Sequence, residues 1–256
     1  MARFHRIVHS PLAAVRAHRT RRLAWSAAAL VLAGWLCTAA AENPPGIDAL
    51  DGGRPEPGRH GGLAAWERTG DPAAGAVAYE ACVVCHGEDG GGRADGTFPR
   101  LAGQHASVVA KQISDIQSGR RGNPIMASHL TTLTDPQEMA DLAAFIALMP
   151  DPAPPDPVLP DPATSEDVTA GRLLYARDCA RCHGDRGQGD AEAFVPLIAG
   201  QHRGYVLRQL RAIAGSLRRN AHPGMVETVF DYRDDELRDL ASYVSSLPWP
   251  TRSGPR

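Results

Sequence analysis

Apolar residues recur at helical spacing in four stretches of the chain. Val108, Val109, Ile113 and Ile116 form one stripe, and Met139, Leu142, Ile146 and Met149 form a second. Tyr205, Val206, Leu210 and Ile213 repeat the first stripe, and Leu237, Leu240, Val244 and Leu247 repeat the second. Positions i, i+3, i+7 and i+10 lie on one side of a helix, whereas runs of β-branched residues that would mark strands are few. The pattern predicts an all-α chain with three main helices in each half. The first helix opens at Asp71-Pro72, a capping aspartate followed by a proline suited to the first helical position, and runs into Cys82. Its counterpart starts near Thr164 to Asp167 and runs into Cys179. The second helix follows a Gly-Gln pair and closes at Gly119 in one half and Gly215 in the other. The third starts at Thr134-Asp135-Pro136-Gln137, where Thr134 and Gln137 are spaced for a capping box.

The halves align with an offset of ninety-seven residues, which matches Pro99 to Pro196, Gly103-Gln104-His105 to Gly200-Gln201-His202, and Gln112-Ile113 to Gln209-Leu210. A period this long exceeds the roughly 20 to 50 residues of stacking repeats, so each copy is expected to be a small domain with its own core. The predicted layout is an export signal over 1–41, a flexible lead-in over 42–70, domain 1 over 71–149, a linker over 150–163, domain 2 over 164–250 and a tail over 251–256. Pro150 to Pro162 contains seven prolines. Such a stretch is a semi-rigid spacer extending ~3 Å per residue, so close, fixed packing of the two domains is not required by the sequence.

Within the repeat, Cys82-Val83-Val84-Cys85-His86 returns as Cys179-Ala180-Arg181-Cys182-His183. Two cysteines at this spacing can each form a thioether to a haem vinyl group, and the following histidine is then held against one face of the iron. A zinc ribbon wants its second Cys pair roughly 15 to 20 residues after the first, whereas Cys85 and Cys179 lie ninety-four apart. A redox disulfide leaves the two histidines unexplained. The motif therefore predicts two covalently attached haem c groups, at Cys82 and Cys85 and at Cys179 and Cys182.

The repeat also narrows the ligand opposite each histidine. Met139 and Met149 occupy stripe positions that are leucines in the other copy, so they read as core. Met126 follows Pro124 by two residues and Met225 follows Pro223 by two, which places both in equivalent segments before the last helix. Proline fixes an extended loop, and His86 with Met126 and His183 with Met225 are the expected axial pairs. His129 and His222 compete as ligands but fall on opposite sides of their methionines. A thioether favours ferrous iron and raises the reduction potential. With both iron faces occupied, one-electron exchange is expected rather than substrate binding, which argues against a peroxidase. The carbonyls of Pro99 and Pro196 are the expected hydrogen-bond acceptors that orient the two histidines. Gln104 and Gln201 fall at the haem edge or the domain contact, and His105 and His202 read as solvated residues at a helix start.

These residues resemble the cytochrome c4 family, the bacterial diheme class I cytochromes c. The resemblance covers residues 71 to 250 and rests on the Cys-x-x-Cys-His-Gly motifs (Cys82 to Gly87, Cys179 to Gly184), Pro99 to Gln104, its looser copy Pro196 to Gln201, the two methionines, and Leu-Ala-x-aromatic at Leu142 to Phe145 and Leu240 to Tyr243. It implies two class I cytochrome c domains facing each other about a pseudo-twofold axis. It also implies electron transfer from a quinol-oxidising complex to terminal oxidases or reductases. Val108 departs from the often aromatic position that Tyr205 keeps. The alternative role is that of a cytochrome subunit in an oxidoreductase acting on sulfide or another inorganic sulfur compound.

The first forty-one residues hold six arginines and no acid, and end in an uncharged stretch from Leu23 to Ala41. This reads as an export signal, and its nineteen uncharged residues are also long enough for a retained membrane anchor. Either outcome places the domains in the periplasm. Without that segment 21 basic and 29 acidic residues remain, and no nucleic-acid partner is expected. Residues 71 to 149 have five basic and nine acidic residues, and 164 to 250 have eleven and twelve, an asymmetry that can orient encounters with a charged redox protein.

Overall fold

The computed structural model describes residues 64–152 and 165–249. The expected export signal or anchor, most of the lead-in, the linker from 153 to 164, and the tail lie outside the described residues. Among the described residues there is no strand, only an isolated bridge between Asp190 and Val195, and no helix is long and apolar enough to cross a membrane.

The first repeat consists of α1 (Pro72–Tyr79), α2 (Val83–His86), α3 (Ala106–Gln117), α4 (Pro124–His129) and α5 (Pro136–Leu148). The second consists of α6 (Ser165–Leu174), α7 (Ala180–His183), α8 (Arg203–Ala214), α9 (Pro223–Val229) and α10 (Asp234–Ser246). In each, the first helix crosses the last, and the helix after the Gly-Gln pair lies against that last helix. The predicted stripes form the cores: Met139, Leu142, Ile146 and Met149 are buried, as are Leu237, Leu240 and Val244, with Leu247 partly buried beside them. Asp71 caps α1 by accepting from Ala73 N, with Pro72 in the first helical turn.

The first and last helices approach closely because glycines lie at the crossings. A Cβ on Gly75 would lie 2.0 Å from the Asp141 carbonyl oxygen, and one on Gly171 would lie 2.0 Å from that of Asp239. Alanine ordinarily gains about 1 kcal/mol over glycine inside a helix, but this overlap with backbone is larger. Gly75→Ala is expected to destabilise the haem-loaded protein by about 1–3 kcal/mol, read as a lower denaturant midpoint.

Several local expectations are corrected. The capping box at the third helix is absent: Pro136 occupies the first turn, so Asp135 is the cap and accepts from Gln137 N. The Gln137 side chain instead donates to the Thr69 carbonyl and Asp141. The lead-in is ordered from Ala64, with Ala65 buried in the first core, because its short 3-10 turn Ala65–Glu67 packs on α3 and α5. Gly119 does turn the chain left-handed after α3 (φ 72°), but after α8 that conformation falls on Ser216 (φ 56°), one residue beyond Gly215.

The proline-rich linker does not leave the repeats apart. Gln104 Nε2 donates to the Leu197 carbonyl (2.8 Å) and its Oε1 accepts from Leu197 N (3.0 Å). In reciprocal fashion, Gln201 Nε2 donates to the Arg100 carbonyl (2.9 Å) and its Oε1 accepts from Arg100 N (2.9 Å). His105 Nε2 lies 2.8 Å from the Gln188 carbonyl, and His202 Nε2 lies 2.7 Å from that of Gly91. The expectation of solvated histidines is thus overturned. Each contact maps onto its mate by the repeat offset, the reciprocity that a twofold relation requires. Backbone satisfaction explains the docking, since each glutamine side chain pairs both peptide groups of a loop in the other repeat.

A second reciprocal set surrounds Arg121 and Arg218. Arg121 donates to Gln112 (2.9 Å), Tyr205 (2.7 Å) and Gln209 (3.2 Å), and Arg218 donates to Gln209 (3.0 Å) and Gln112 (3.2 Å). Burial and the neighbouring Arg121 charge push the Arg218 guanidinium down to about 10. Tyr205, at the position where domain 1 has Val108, therefore serves the domain contact. Arg100 stacks over Trp249, 4.5 Å from the ring centroid, fastening the end of domain 2 to domain 1.

His202 makes this contact sensitive to acid. Burial, with some help from Arg100, lowers its pKa despite the Gly91 hydrogen bond and Asp95. The undocked ring would bind a proton near its ordinary pKa of about 6.5, before the docked ring does. Docking stability is then fully present above that pH and declines as the pH falls through it. Small-angle scattering from pH 7.5 down to the mid-fives is expected to show the domains separating more readily at the acid end.

Candidate haem-attachment sites

Each cysteine motif begins where a helix from the core changes its winding. In domain 1 Cys82 is the third residue after Tyr79, and the chain passes through the 3-10 turn Glu80–Cys82 before α2. In domain 2 Cys179 is the fourth residue after Tyr175, and the additional residue is absorbed by a π-helical turn, Tyr175–Cys179. As a result, both tyrosines reach the same target. Tyr79 Oη donates to the Gly87 carbonyl at 2.9 Å, and Tyr175 Oη donates to that of Gly184 at 2.6 Å. Both are buried, and each ring lies against the aromatic residue of the last helix, Phe145 (5.4 Å) or Tyr243 (5.2 Å). Sequence reasoning missed these two tyrosines, because the inserted residue breaks the ninety-seven-residue register. Aligning the first helices separately would have matched them.

His86 is buried, and its Nδ1 lies 3.0 Å from the Pro99 carbonyl. His183 Nδ1 lies 3.2 Å from the Pro196 carbonyl. Burial lowers the pKa of both rings, outweighing these hydrogen bonds, so each ring is neutral near pH 7 and its Nε2 carries a lone pair. His86 Nε2 is buried without a hydrogen-bond partner. A buried polar atom left this way costs about 1–3 kcal/mol, and coordination to a metal would use it.

The four cysteines of the motifs are free. Burial, then Cys85, raises the Cys82 pKa, and burial, then Asp178, pushes Cys179 up to about 11. Among the described residues no group of three His, Cys, Asp or Glu side chains is placed to hold a metal ion, so each histidine lacks the additional protein N, O or S donors that a zinc site would need. Paired thiols beside a neutral histidine with one orphaned nitrogen fit a covalently held haem.

Met126 and Met225 do not lie in extended loops. Pro124 and Pro223 stand in the first turns of α4 and α9, where a missing N–H and a fixed φ are harmless, so the prolines start short helices instead. Asn123 accepts from Met126 N (3.2 Å), and His222 Nδ1 accepts from Gly224 N (3.0 Å). Met126 packs on the same core as Cys82, and Met225 on the same core as Cys179. Their competitors, His129 and His222, are exposed.

The fold and these paired sites define a c-type cytochrome with two domains: the cytochrome c family model matches residues 72–149 and 168–248. A cytochrome c4 of Thiocapsa roseopersicina is 35% identical over 198 residues, 73% of this chain and 98% of that one. A thiosulfate dehydrogenase electron acceptor of Stutzerimonas stutzeri (strain A1501) is 36% identical over 174 residues, 65% of this chain and 79% of that one. The crystal structure of reduced cytochrome c4 from Pseudomonas stutzeri superposes with a TM-score of 0.62 at 26% identity, covering 70% of this chain and all of that one. The chain belongs to the cytochrome c4 family. It is a diheme electron carrier with haem c as its cofactor, and it works with redox partners.

Proposed function

We propose that Cys82 and Cys85 bond one haem c and Cys179 and Cys182 the other, that His86 and Met126 are the axial ligands of the first, and that His183 and Met225 are those of the second. The bound groups supply reversible one-electron chemistry. The observation that carries the assignment is the repeated histidine geometry, in which one ring nitrogen faces a proline carbonyl and, at His86, the other is buried without a partner. Pro99 and Pro196 orient the rings, so that Nε2 faces the ligand position. Tyr79 and Tyr175 hold the turn that follows each histidine. Arg121 and Arg218 offer positive charge, which would neutralise the carboxylates that haem c bears.

The chain carries electrons in the periplasm and is not itself catalytic. Its donor is a quinol-oxidising complex, and its acceptor a terminal oxidase or reductase. A second reading has support from the relative described as a thiosulfate dehydrogenase electron acceptor: here the donor would be an enzyme that oxidises an inorganic sulfur compound. Spectroelectrochemical titration of protein of measured mass tests the site assignment, with two haemochrome equivalents and a far-red sulfur-to-iron band in the oxidised form expected. An undiminished band in the oxidised form of both domains' methionine variants would overturn it. Stopped-flow reduction by a quinol-oxidising complex, compared with a thiosulfate dehydrogenase, separates the two donors.

A further inference from the structure

We propose that the cysteine-bearing face of domain 1 is the docking surface for a redox protein whose own cofactor edge is ringed by lysine or arginine, and that the matching face of domain 2 rejects this partner. The inference rests on the assignment of Cys82 and Cys85 as attachment points. The two motifs superpose in sequence, yet their exposed neighbours differ in net charge. Two residues before the first cysteine stand Glu80 and Arg177; between the cysteines stand Val84 and Arg181; and after the histidines stand Glu88-Asp89 and Asp185-Arg186. All of these are exposed.

From 80 to 89, domain 1 therefore has three carboxylates and no cation, while 177 to 186 in domain 2 has three guanidinium groups and two carboxylates. Glu80 and Glu88 have no ion pair among the described residues, so their charge is available to a partner. Arg177 is bound to Asp178 at 2.8 Å, but Arg181 and Arg186 have no such pair among the described residues. Between the acids of domain 1 lies Val84, 92% exposed, the most exposed of the large apolar side chains described. An apolar centre within a ring of charge is the anatomy of a transient protein interface. Its charge steers approach and excludes wrong partners more than it adds affinity. A solvated surface has no need to invert its sign at two matched positions beside the cofactor, Glu80 against Arg177 and Asp89 against Arg186, and to exchange Val84 for Arg181 at a third.

The test uses the haem-loaded full chain and reduced mitochondrial-type cytochrome c, a basic redox protein, as probe at low ionic strength. Chemical-shift changes are expected to centre on residues 80 to 89. Glu80→Lys together with Glu88→Lys is expected to weaken binding roughly tenfold, whereas Arg181→Glu leaves it no weaker. Shifts centred on 177 to 186, or unchanged affinity in the domain 1 variant, would overturn the proposal. A haemochrome assay on the same samples reads the underlying assignment separately: two equivalents with unchanged probe affinity would sink only the docking face, and a single equivalent would sink both.

Discussion

Met225→Leu is expected to remove about half of the far-red band of the oxidised protein and to lower one of its two reduction potentials by on the order of 0.2 V, well within the ~0.8 V that axial ligands span. Leucine and methionine have similar volumes, and such exchanges cost less than about 1.5 kcal/mol. Met225 is only partly buried, against the core that includes Val229 and Leu210, and α9 is fixed by Pro223, by His222 and by the Thr228 hydroxyl donating to the Gly224 carbonyl at 2.7 Å. The helix therefore survives, and what disappears is the thioether. Met126→Leu is expected to act on the other potential. Met139→Leu and Met149→Leu, at buried core positions, serve as controls and should leave both potentials unchanged. Spectroelectrochemical titration of the four variants checks the assignment, and an intact band in Met225→Leu would refute it.

What could be read from the sequence was whatever depends on neighbours along the chain. The cysteine motifs and the apolar stripes are local patterns, and the duplication let one copy check the other; that is how Met139 and Met149 were separated from Met126 and Met225. Proline was legible as a constraint but not as a particular structure. Its fixed φ and missing N–H suit an extended loop and a first helical turn equally, and the structure uses Pro124 and Pro223 for the latter. At Pro136 the same property decides the cap, since the residue before a proline is kept out of helical conformation. Asp135 therefore caps α5, and Thr134 does not.

The domain contact was only partly legible: the resemblance implied facing domains, and Gln104 and Gln201 were expected at the haem edge or the contact, but the backbone groups they bond are described by no local pattern. Gln104 and Gln201 meet backbone atoms 93 and 101 residues away in sequence. Repetition flagged both glutamines, but a repeat preserves surface and interface residues alike. The linker composition described only the connection, whereas the domains are held by hydrogen bonds elsewhere. Tyr79 and Tyr175 were hidden for a different reason: the π-helical turn restores in space the equivalence that one inserted residue removes from the alignment.

Exchanging both glutamines for glutamate is expected to separate the domains at neutral pH while leaving each haem spectrum intact. Glutamate keeps an oxygen that can accept from Leu197 N or Arg100 N, as well as the bonds that the present amides accept from His105 N (3.1 Å) and His202 N (3.0 Å), so the starts of α3 and α8 are preserved. It loses the Nε2 donor, and an oxygen then faces the Leu197 and Arg100 carbonyls. Gln201 is buried, so at that site the substitution also places a charge away from water with no cation bonded to it. Breaking a buried charged pair costs about 3–5 kcal/mol, and a buried charge without a partner is of that order. At the millimolar effective concentration that a linker maintains, docking persists only while its standard free energy is more favourable than about −4 kcal/mol, and the loss at two such sites is expected to take it past that limit. The radius of gyration from small-angle scattering should rise at pH 7. An unchanged radius at pH 7 would show that Arg121, Arg218 and Trp249 hold the domains without the glutamines.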